Sequence, residues 1–407
     1  MLLWCVVIAL VTLGLYAVAP WILPARVIEG PMVQLAGPDA VTLVWYTTRP
    51  VDCALVVDAD DARRTINSSP AGRRHSVRVD GLAAGRSYRY RLMAGTRALT
   101  NVVAFQTNKE ADQRFTFVVF GDSGRGTRAQ YQLAVEMDRA TPRPDLLVHT
   151  GDVVYPDGAR FRYNENFFAP YRSMLARIGF WPCLGNHDVE KDGSAPAYME
   201  VFELPDNGPP GLPPERNYWF DYGSARFVVL DTNFESTSDA LLRDQVAPWI
   251  IDVFARPAPH WRFVITHHPP HTAGKYAPDE RLQRTIVPAI EQAGVDIVFS
   301  GHDHNYQRFA PLRGGVGADD GVVYIVTGAG GAKLYDLKPR DQWPPSLVFA
   351  DSQRHGFTQV TIDGETLTLR QYAIGTPKPI DEFTLTKLRA TTQPQPAPAP
   401  TPAETQP

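Results

Sequence analysis

Gly151-Asp152-Val153-Val154-Tyr155 comes one residue after the run Asp145-Leu146-Leu147-Val148-His149. A carboxylate and a phenol thus stand three residues apart where a buried strand gives way to a loop, the place at which open α/β sheets bind ligands. Alone, a Gly-Asp pair after a strand is an ordinary turn, and a nearby tyrosine is ordinary packing. The stretch decides the fold because its pattern recurs along the chain.

Phe115-Thr116-Phe117-Val118-Val119-Phe120 ends in Gly121-Asp122-Ser123-Gly124, and Trp181-Pro182-Cys183-Leu184 ends in Gly185-Asn186-His187-Asp188. Val264-Ile265-Thr266 leads into His267-His268-Pro269-Pro270-His271, and the run ending at Phe299 leads into Ser300-Gly301-His302-Asp303-His304. Apolar runs without alternation are expected of strands covered on both faces. Similar runs lie at 226–230 and 322–326, with helix-like stretches at 129–139, 166–178 and 281–292. Strands alternating with helices predict a layered α/β domain, here over residues 113–388, whose last part from 357 returns to alternating strands.

The remainder of the chain reads differently. Residues 25–108 carry short alternating runs, Val41-Thr42-Leu43-Val44-Trp45-Tyr46, Ala54-Leu55-Val56-Val57, His75-Ser76-Val77-Arg78-Val79 and Ser87-Tyr88-Arg89-Tyr90-Arg91-Leu92. These predict an antiparallel β-sandwich. The stretch Gly81-Leu82-Ala83-Ala84-Gly85-Arg86-Ser87-Tyr88-Arg89-Tyr90 resembles the loop before a late strand of fibronectin type III domains. No cluster of metal-ligand spacing occurs there, so the sandwich reads as a structural or docking module. Residues 2–23 are apolar apart from Thr12, long enough to cross a bilayer of about 30 Å at about 1.5 Å per residue. An N-terminal apolar helix over residues 1–24 is therefore expected to direct export. It serves either as an uncleaved membrane anchor or as a cleaved signal: no Lys or Arg precedes Arg26, and Ala17-Val18-Ala19 runs into Pro20. Residues 389–407 are a Pro-, Thr- and Gln-rich tail without core-forming residues, read as disordered linker.

Composition narrows the partners. With 407 residues, two or three domains are expected. The formal net charge of -4 and the lack of a long basic run exclude nucleic acid as a partner and argue against anionic membrane surfaces. An acidic substrate would need local positive charge, such as a bound metal. Cys5, Cys53 and Cys183 are too scattered to form a disulfide framework.

Six of the ten histidines lie in the strand-end loops: His187, His267, His268, His271, His302 and His304. A single Gly-Asp or His-x-His would be weak evidence, since an isolated histidine is usually a satisfied surface or core residue. Five loops bearing oxygen and nitrogen donors at successive strand ends point instead to a shared metal site. The donors are Asp122, Asp152, Tyr155, Asn186, His267, His302 and His304. Seven exceed the needs of one tetrahedral ion and suit two ions about 3.5–4 Å apart that share a carboxylate, with Asp152 the natural bridge. The absence of cysteine suits hard or borderline metals.

These loops resemble those of the calcineurin-like metallophosphoesterase superfamily, and Tyr155 with the preceding sandwich resembles the purple acid phosphatases in particular. The wider superfamily has Asp-x-His in its first loop; here Gly124 stands where that histidine would be, and Tyr155 compensates. The resemblance implies a binuclear centre in which Asp122, Tyr155 and His304 bind ferric iron. Asn186, His267 and His302 would bind a divalent ion, zinc, manganese or iron, and Asp152 would bridge the two. His267 is preferred to His268 because Val264-Ile265-Thr266-His267 fits the family's Val-x-x-His.

By the same resemblance His187 contacts the substrate phosphate or protonates the leaving group, with Asp188 orienting it. Another substrate-facing histidine is common nine residues after the Val-x-x-His ligand; here Tyr276 occupies that position, and His271 is the candidate to stand in. The implied reaction is metal-assisted hydrolysis of a small phosphorylated substrate. It is a phosphomonoesterase or, on the same site, a phosphodiesterase or nucleotide hydrolase. A surface-binding module with a vestigial site is the contrasting reading, and the complete donor set speaks against it.

Overall fold

Phe115–Phe120 is buried along its whole length because it is a central strand of one of two facing sheets. The computed structural model describes residues 24–59, 62–233, 237–257 and 260–387; the expected apolar helix and the Pro-rich tail lie outside them. Among the described residues no helix is long and apolar enough to cross a membrane.

The first sheet runs Asp381–Thr386, Thr366–Ala373, Gly356–Asp363, Phe115–Phe120, Leu146–His149, Gly179–Pro182. Its last three strands are parallel, and the other neighbours pair antiparallel. The second runs Tyr218–Tyr222, Ala225–Val229, Trp261–Ile265, Ile297–Ser300, Val323–Thr327, Tyr306–Phe309, Leu347–Asp351, with four parallel strands from Ala225–Val229 to Val323–Thr327.

Period-2 alternation divides the second sheet between two cores. Phe227, Phe263 and Phe299 point inward, where the ring of Phe117 meets them at centroid distances of 5.2, 5.3 and 6.2 Å. Their neighbours Val228, Val264 and Val298 point outward into a separate cluster with the helices Ala247–Ala255 and Val287–Gln292. Each such side chain contributes about 1.5–3 kcal/mol when fully buried. On the far side the helix Arg128–Arg139, capped by the Thr127 hydroxyl, packs on Ala169–Leu175 and Gly356–Asp363. The result is a four-layer arrangement, helices outside two sheets. The parallel strands of both sheets end at one edge, where the Gly121 N–H donates to Thr327 O across the sheets at 3.1 Å.

Residues 27–106 form a β-rich unit whose strands pair antiparallel throughout. Two runs that read as separate strands, 41–46 and 54–57, are halves of one strand, Ala40–Ala59. Its register shifts between Tyr46 and Cys53, around Pro50, and there it exchanges one partner, Val27–Gln34, for another, Ser87–Ala94. A bulge of this kind bends a strand without ending it. Apolar residues of this unit and of the first sheet form one continuous core. Across the junction Gln34 Nε2 donates to Phe180 O at 2.9 Å, and Arg160 forms a two-pronged pair with Glu29.

Two expected helices are interrupted. The 166–178 stretch begins as a π-helical turn, Asn164–Phe168, before Ala169–Leu175, and the 281–292 stretch breaks at Ile286 into Glu280–Thr285 and Val287–Gln292. Pro288, which has no N–H to donate, opens the second piece. Cys53 and Cys183 are buried and unbridged.

Candidate metal centre

Asp122, Asp152 and His302 each follow a glycine at a strand end, and their φ angles are +56°, +57° and +67°. They are three of the five described non-glycine residues with positive φ, so left-handed backbone, which costs about 1–3 kcal/mol per residue, concentrates at this edge. The strain turns the three side chains back over the sheet ends. Gly151 (φ +98°) permits it in the second loop: a Cβ there would stand 2.6 Å from His267 Nδ1.

Two groups of donors result. In one, Asp122, Asp152 and His304 converge, and the Tyr155 hydroxyl lies 3.3 Å from Asp122 Oδ1 and 2.9 Å from His304 Nε2. In the other, Asn186 Oδ1 is 3.0 Å from His267 Nε2 and 2.9 Å from His302 Nδ1, and those two nitrogens are 3.3 Å apart. Asp152 belongs to the first group and reaches the second, with Oδ1 3.5 Å from His267 Nε2. All seven sequence-selected donors are thus brought together.

Backbone carbonyls set the imidazoles. His267 Nδ1 lies 2.9 Å from Thr150 O and His304 Nδ1 2.7 Å from Lys333 O, so each Nδ1 carries the proton and each Nε2 lone pair faces inward. Burial holds His267 far below the usual imidazole range and brings His302 down to about 2. For His304 the hydrogen bond and charge of Asp122 overcome burial and raise the pKa. Burial lifts Asp122 to about 6, and burial with the charges of Asp152 and Asp122 drives Tyr155 well above 10.

The donor set fits a pair of cations. Asp122 and Asp152 are at most 1% exposed, and among the described residues neither pairs with a Lys or Arg. Two carboxylates buried without positive partners are costly. Asn186 Oδ1 and His267 Nε2, both acceptors, sit within hydrogen-bond distance of each other, which a cation between them would resolve.

Gly124 explains the first loop. A Cβ at this position would lie 1.8 Å from Val153 O, so no histidine fits. The Gly124 carbonyl takes the Tyr155 N–H at 2.8 Å and the Asn166 amide at 2.9 Å, which lays the phenol over the cluster.

The remaining candidates are placed as follows. His187 is part-exposed at the rim; its Nδ1 meets Pro156 O at 2.5 Å, and its Nε2 is 4.0 Å from Asp152 Oδ2. Asp188 does not orient it. The Asp188 carboxylate instead accepts the N–H groups of Val153, Val154 and Gly185 at 3.0, 3.1 and 2.9 Å, pinning the second and third loops together, and burial with the Asp152 charge raises it to about 8.

His271 is not at the centre either. After Pro269-Pro270 the chain carries it onto the outer face of the second sheet, against Tyr324 and Phe309 at centroid distances of 4.5 and 6.1 Å. Tyr276 does face the site, its ring 4.1 Å from that of His302.

Several further residues support the seven donors. His149, which burial lowers to about 3, joins the first two loops by accepting from Gly151 N at 3.2 Å and meeting Ser123 Oγ at 2.9 Å. His268 pairs through Nδ1 with Thr232 Oγ1 at 2.8 Å and lies close to His267 and His302. Asp303, sandwiched in sequence between two donors, accepts from Thr272 Oγ1 and from Tyr276 N, fixing the 272–276 loop. Tyr335 lies flat on His304, centroids 3.9 Å apart at 10°.

Comparison with known proteins agrees with this geometry. Residues 115–306 match the family model described as "Calcineurin-like phosphoesterase", and residues 321–382 match "Iron/zinc purple acid phosphatase-like protein C". The chain is 24% identical over 379 residues to the "Probable inactive purple acid phosphatase 1" of Arabidopsis thaliana, covering 80% of this chain and 59% of that protein. It therefore spans about three-fifths of that relative. It is 25% identical over 313 residues to a "Nucleotide pyrophosphatase/phosphodiesterase" of Hordeum vulgare, covering 66% of this chain and 82% of that one. Its fold is similar to that of a purple acid phosphatase from yellow lupin (Lupinus luteus) seeds: TM-score 0.72, 18% identity, 88% of this chain and 74% of the other covered.

Proposed function

The chain belongs to the calcineurin-like phosphoesterases of the purple acid phosphatase type, and on that premise we propose that it hydrolyses phosphate monoesters at a binuclear metal centre. Asp122, Tyr155 and His304 would hold a ferric ion, Asn186, His267 and His302 a divalent zinc, manganese or iron, and Asp152 both. The observation that carries this reading is the pair of donor groups joined by Asp152, with a phenol in one of them. When bound, two such cations neutralise phosphoryl charge and lower the pKa of water.

The chain's own residues do the rest. Carbonyl-fixed tautomers keep the Nε2 lone pairs of His267 and His304 turned inward, and the Asp188 pin keeps Asp152 and Asn186 in register. With Nδ1 donating to Pro156 O, His187 presents Nε2 at the rim, where, as the imidazolium carrying a second proton on Nε2, it can give that proton to the departing alkoxide oxygen and return to the neutral ring.

The test is metal analysis and a visible spectrum of the purified protein, followed by turnover of p-nitrophenyl phosphate. A preparation that takes up no iron and stays inactive after iron reconstitution sinks the reading. Cleavage of diesters or pyrophosphate bonds on the same centre is the second reading, favoured by the barley relative's name. Bis(p-nitrophenyl) phosphate turned over faster than the monoester would decide for it. The antiparallel unit is read as a fibronectin type III-like brace, and residues 1–24 as the signal or anchor of an exported enzyme.

A further inference from the structure

Resting on the reaction above, we propose that the antiparallel unit takes part in choosing the substrate. It holds two walls of a cavity that receives the leaving group, and so favours phosphate esters of bulky polar alcohols, of nucleoside size, over those of small ones. The cavity, about 810 Å³, is lined by Asn186 and Asp188, which flank His187 in the chain, and by Pro156, whose carbonyl meets His187 Nδ1. It therefore begins at the residue that faces the departing oxygen. Its volume lies in the range of sites that take drug-sized ligands, about 300–1,000 Å³, and a methyl or ethyl group would leave most of it empty.

One wall is the turn 157–160, and the other is the helix Pro196–Val201, which presents Pro196, Ala197 and Glu200. Both are tied to the antiparallel unit. Arg160 donates twice to Glu29, from Nη1 to Oε1 at 3.0 Å and from Nη2 to Oε2 at 2.6 Å, and its guanidinium lies 4.5 Å from the centroid of the Tyr46 ring. Its Nε reaches Glu200 Oε1 at 2.8 Å, joining the two walls. The Glu200 carbonyl accepts in turn from the Tyr46 hydroxyl at 2.9 Å and from Arg74 Nε at 2.8 Å. Glu29 and Tyr46 are cross-strand partners within the unit. A two-pronged pair with stacking fixes a guanidinium in place as well as in charge. The width of the cavity is thus set from outside the catalytic domain, by residues that belong to neither donor group.

The lining decides the chemistry of the occupant. Beside Asp188, whose carboxylate is claimed by backbone N–H groups, the walls carry Asp157, Glu190, Asp192 and Glu200 against Arg160 and Lys191. The Arg160 charge is already matched by Glu29. The surplus of carboxylate accepts hydroxyl and N–H donors and repels a further anionic group. An uncharged alcohol rich in such donors fits; a second phosphoryl group does not.

The experiment compares kcat/KM for adenosine monophosphate and methyl phosphate in the metal-loaded full chain, for the wild type, Glu29→Gln, Tyr46→Phe and Ala197→Trp, with Tm measured alongside. Expected is a wild-type preference for the nucleotide of roughly tenfold or more. Glu29→Gln and Tyr46→Phe, which loosen the walls, and Ala197→Trp, which fills the space between them, should each lower that preference roughly three- to tenfold. Damage to the fold alone would lower both substrates together and leave their ratio in place, and that result overturns the assignment. A ratio moved only by Ala197→Trp overturns the part given to the antiparallel unit. A wild type that cleaves both esters without preferring the nucleotide overturns the proposal while leaving the reaction intact. A wild type that cleaves neither defeats both.

Discussion

The phenol oxygen of Tyr155 stands 2.9 Å from Nε2 of His304, whose Nδ1 is committed to Lys333 O at 2.7 Å. The imidazole therefore has only a lone pair to offer on that side, and on the reading proposed above this phenol and imidazole would hold the ferric ion between them. Tyr155→Phe keeps the buried ring and removes the oxygen. It is expected to abolish the visible charge-transfer band and lower iron content while leaving Tm within a few degrees. A purple colour surviving in the variant would show that Tyr155 is not the iron ligand.

His187 reaches the rim without joining either donor group. His187→Ala is expected to lower kcat about 10²-fold or more, in the range of a lost general acid, with both metals still bound. Metal analysis beside steady-state kinetics separates the cases: metal loss matching the loss of turnover would make it a ligand.

Burial raises Asp122 to about 6, and burial with the Asp152 charge raises Asp188 to about 8. In the metal-free protein both carboxyls take up protons on folding. Their contribution to stability is then complete below their unfolded pKa near 4 and is lost as pH rises through about 6 and 8. Metal-free protein should accordingly melt at a lower temperature at pH 8 than at pH 5, and added metal should remove the difference. Thermal melts at both pH values, with and without chelator, check this; a metal-free protein equally stable at both contradicts it.

Burial holds His271 down at about 4. A depressed imidazole favours folding above its unfolded pKa of about 6.5, and that stability, on the order of 2–3 kcal/mol, drains away as pH falls towards 4. In metal-loaded protein His271→Phe should flatten the acid side of the stability profile and change turnover little. A large drop in kcat at unchanged Tm would return His271 to the reaction.

The strand-end loops were legible because metal chemistry admits few residue types: the chain offered Asp122, Asp152, Tyr155, Asn186, His267, His302 and His304, and the fold gathers them at one edge. What surrounds them was not. Asp188 and His271 looked like partners by sequence proximity, but one carboxylate is claimed by three backbone N–H groups, and the other residue is carried off by the turn at Pro269-Pro270. Tyr335 comes to His304 from a separate loop without a motif, and only the tertiary fold could place it. The same holds for Ala40–Ala59, where two apparent strands share one backbone through register shifts between Tyr46 and Cys53 that only the pairing with 62–80 reveals.

The 1.8 Å collision awaiting any Cβ at Gly124 leaves the first loop no room for a side chain there. A histidine could occupy that position only if Val153 withdrew, and Val153 is held by Asp188 while Tyr155 is tied by its N–H to the Gly124 carbonyl. The first and second loops are thus interlocked through their backbones, so a single replacement at Gly124 would displace the seat of Tyr155 along with its own.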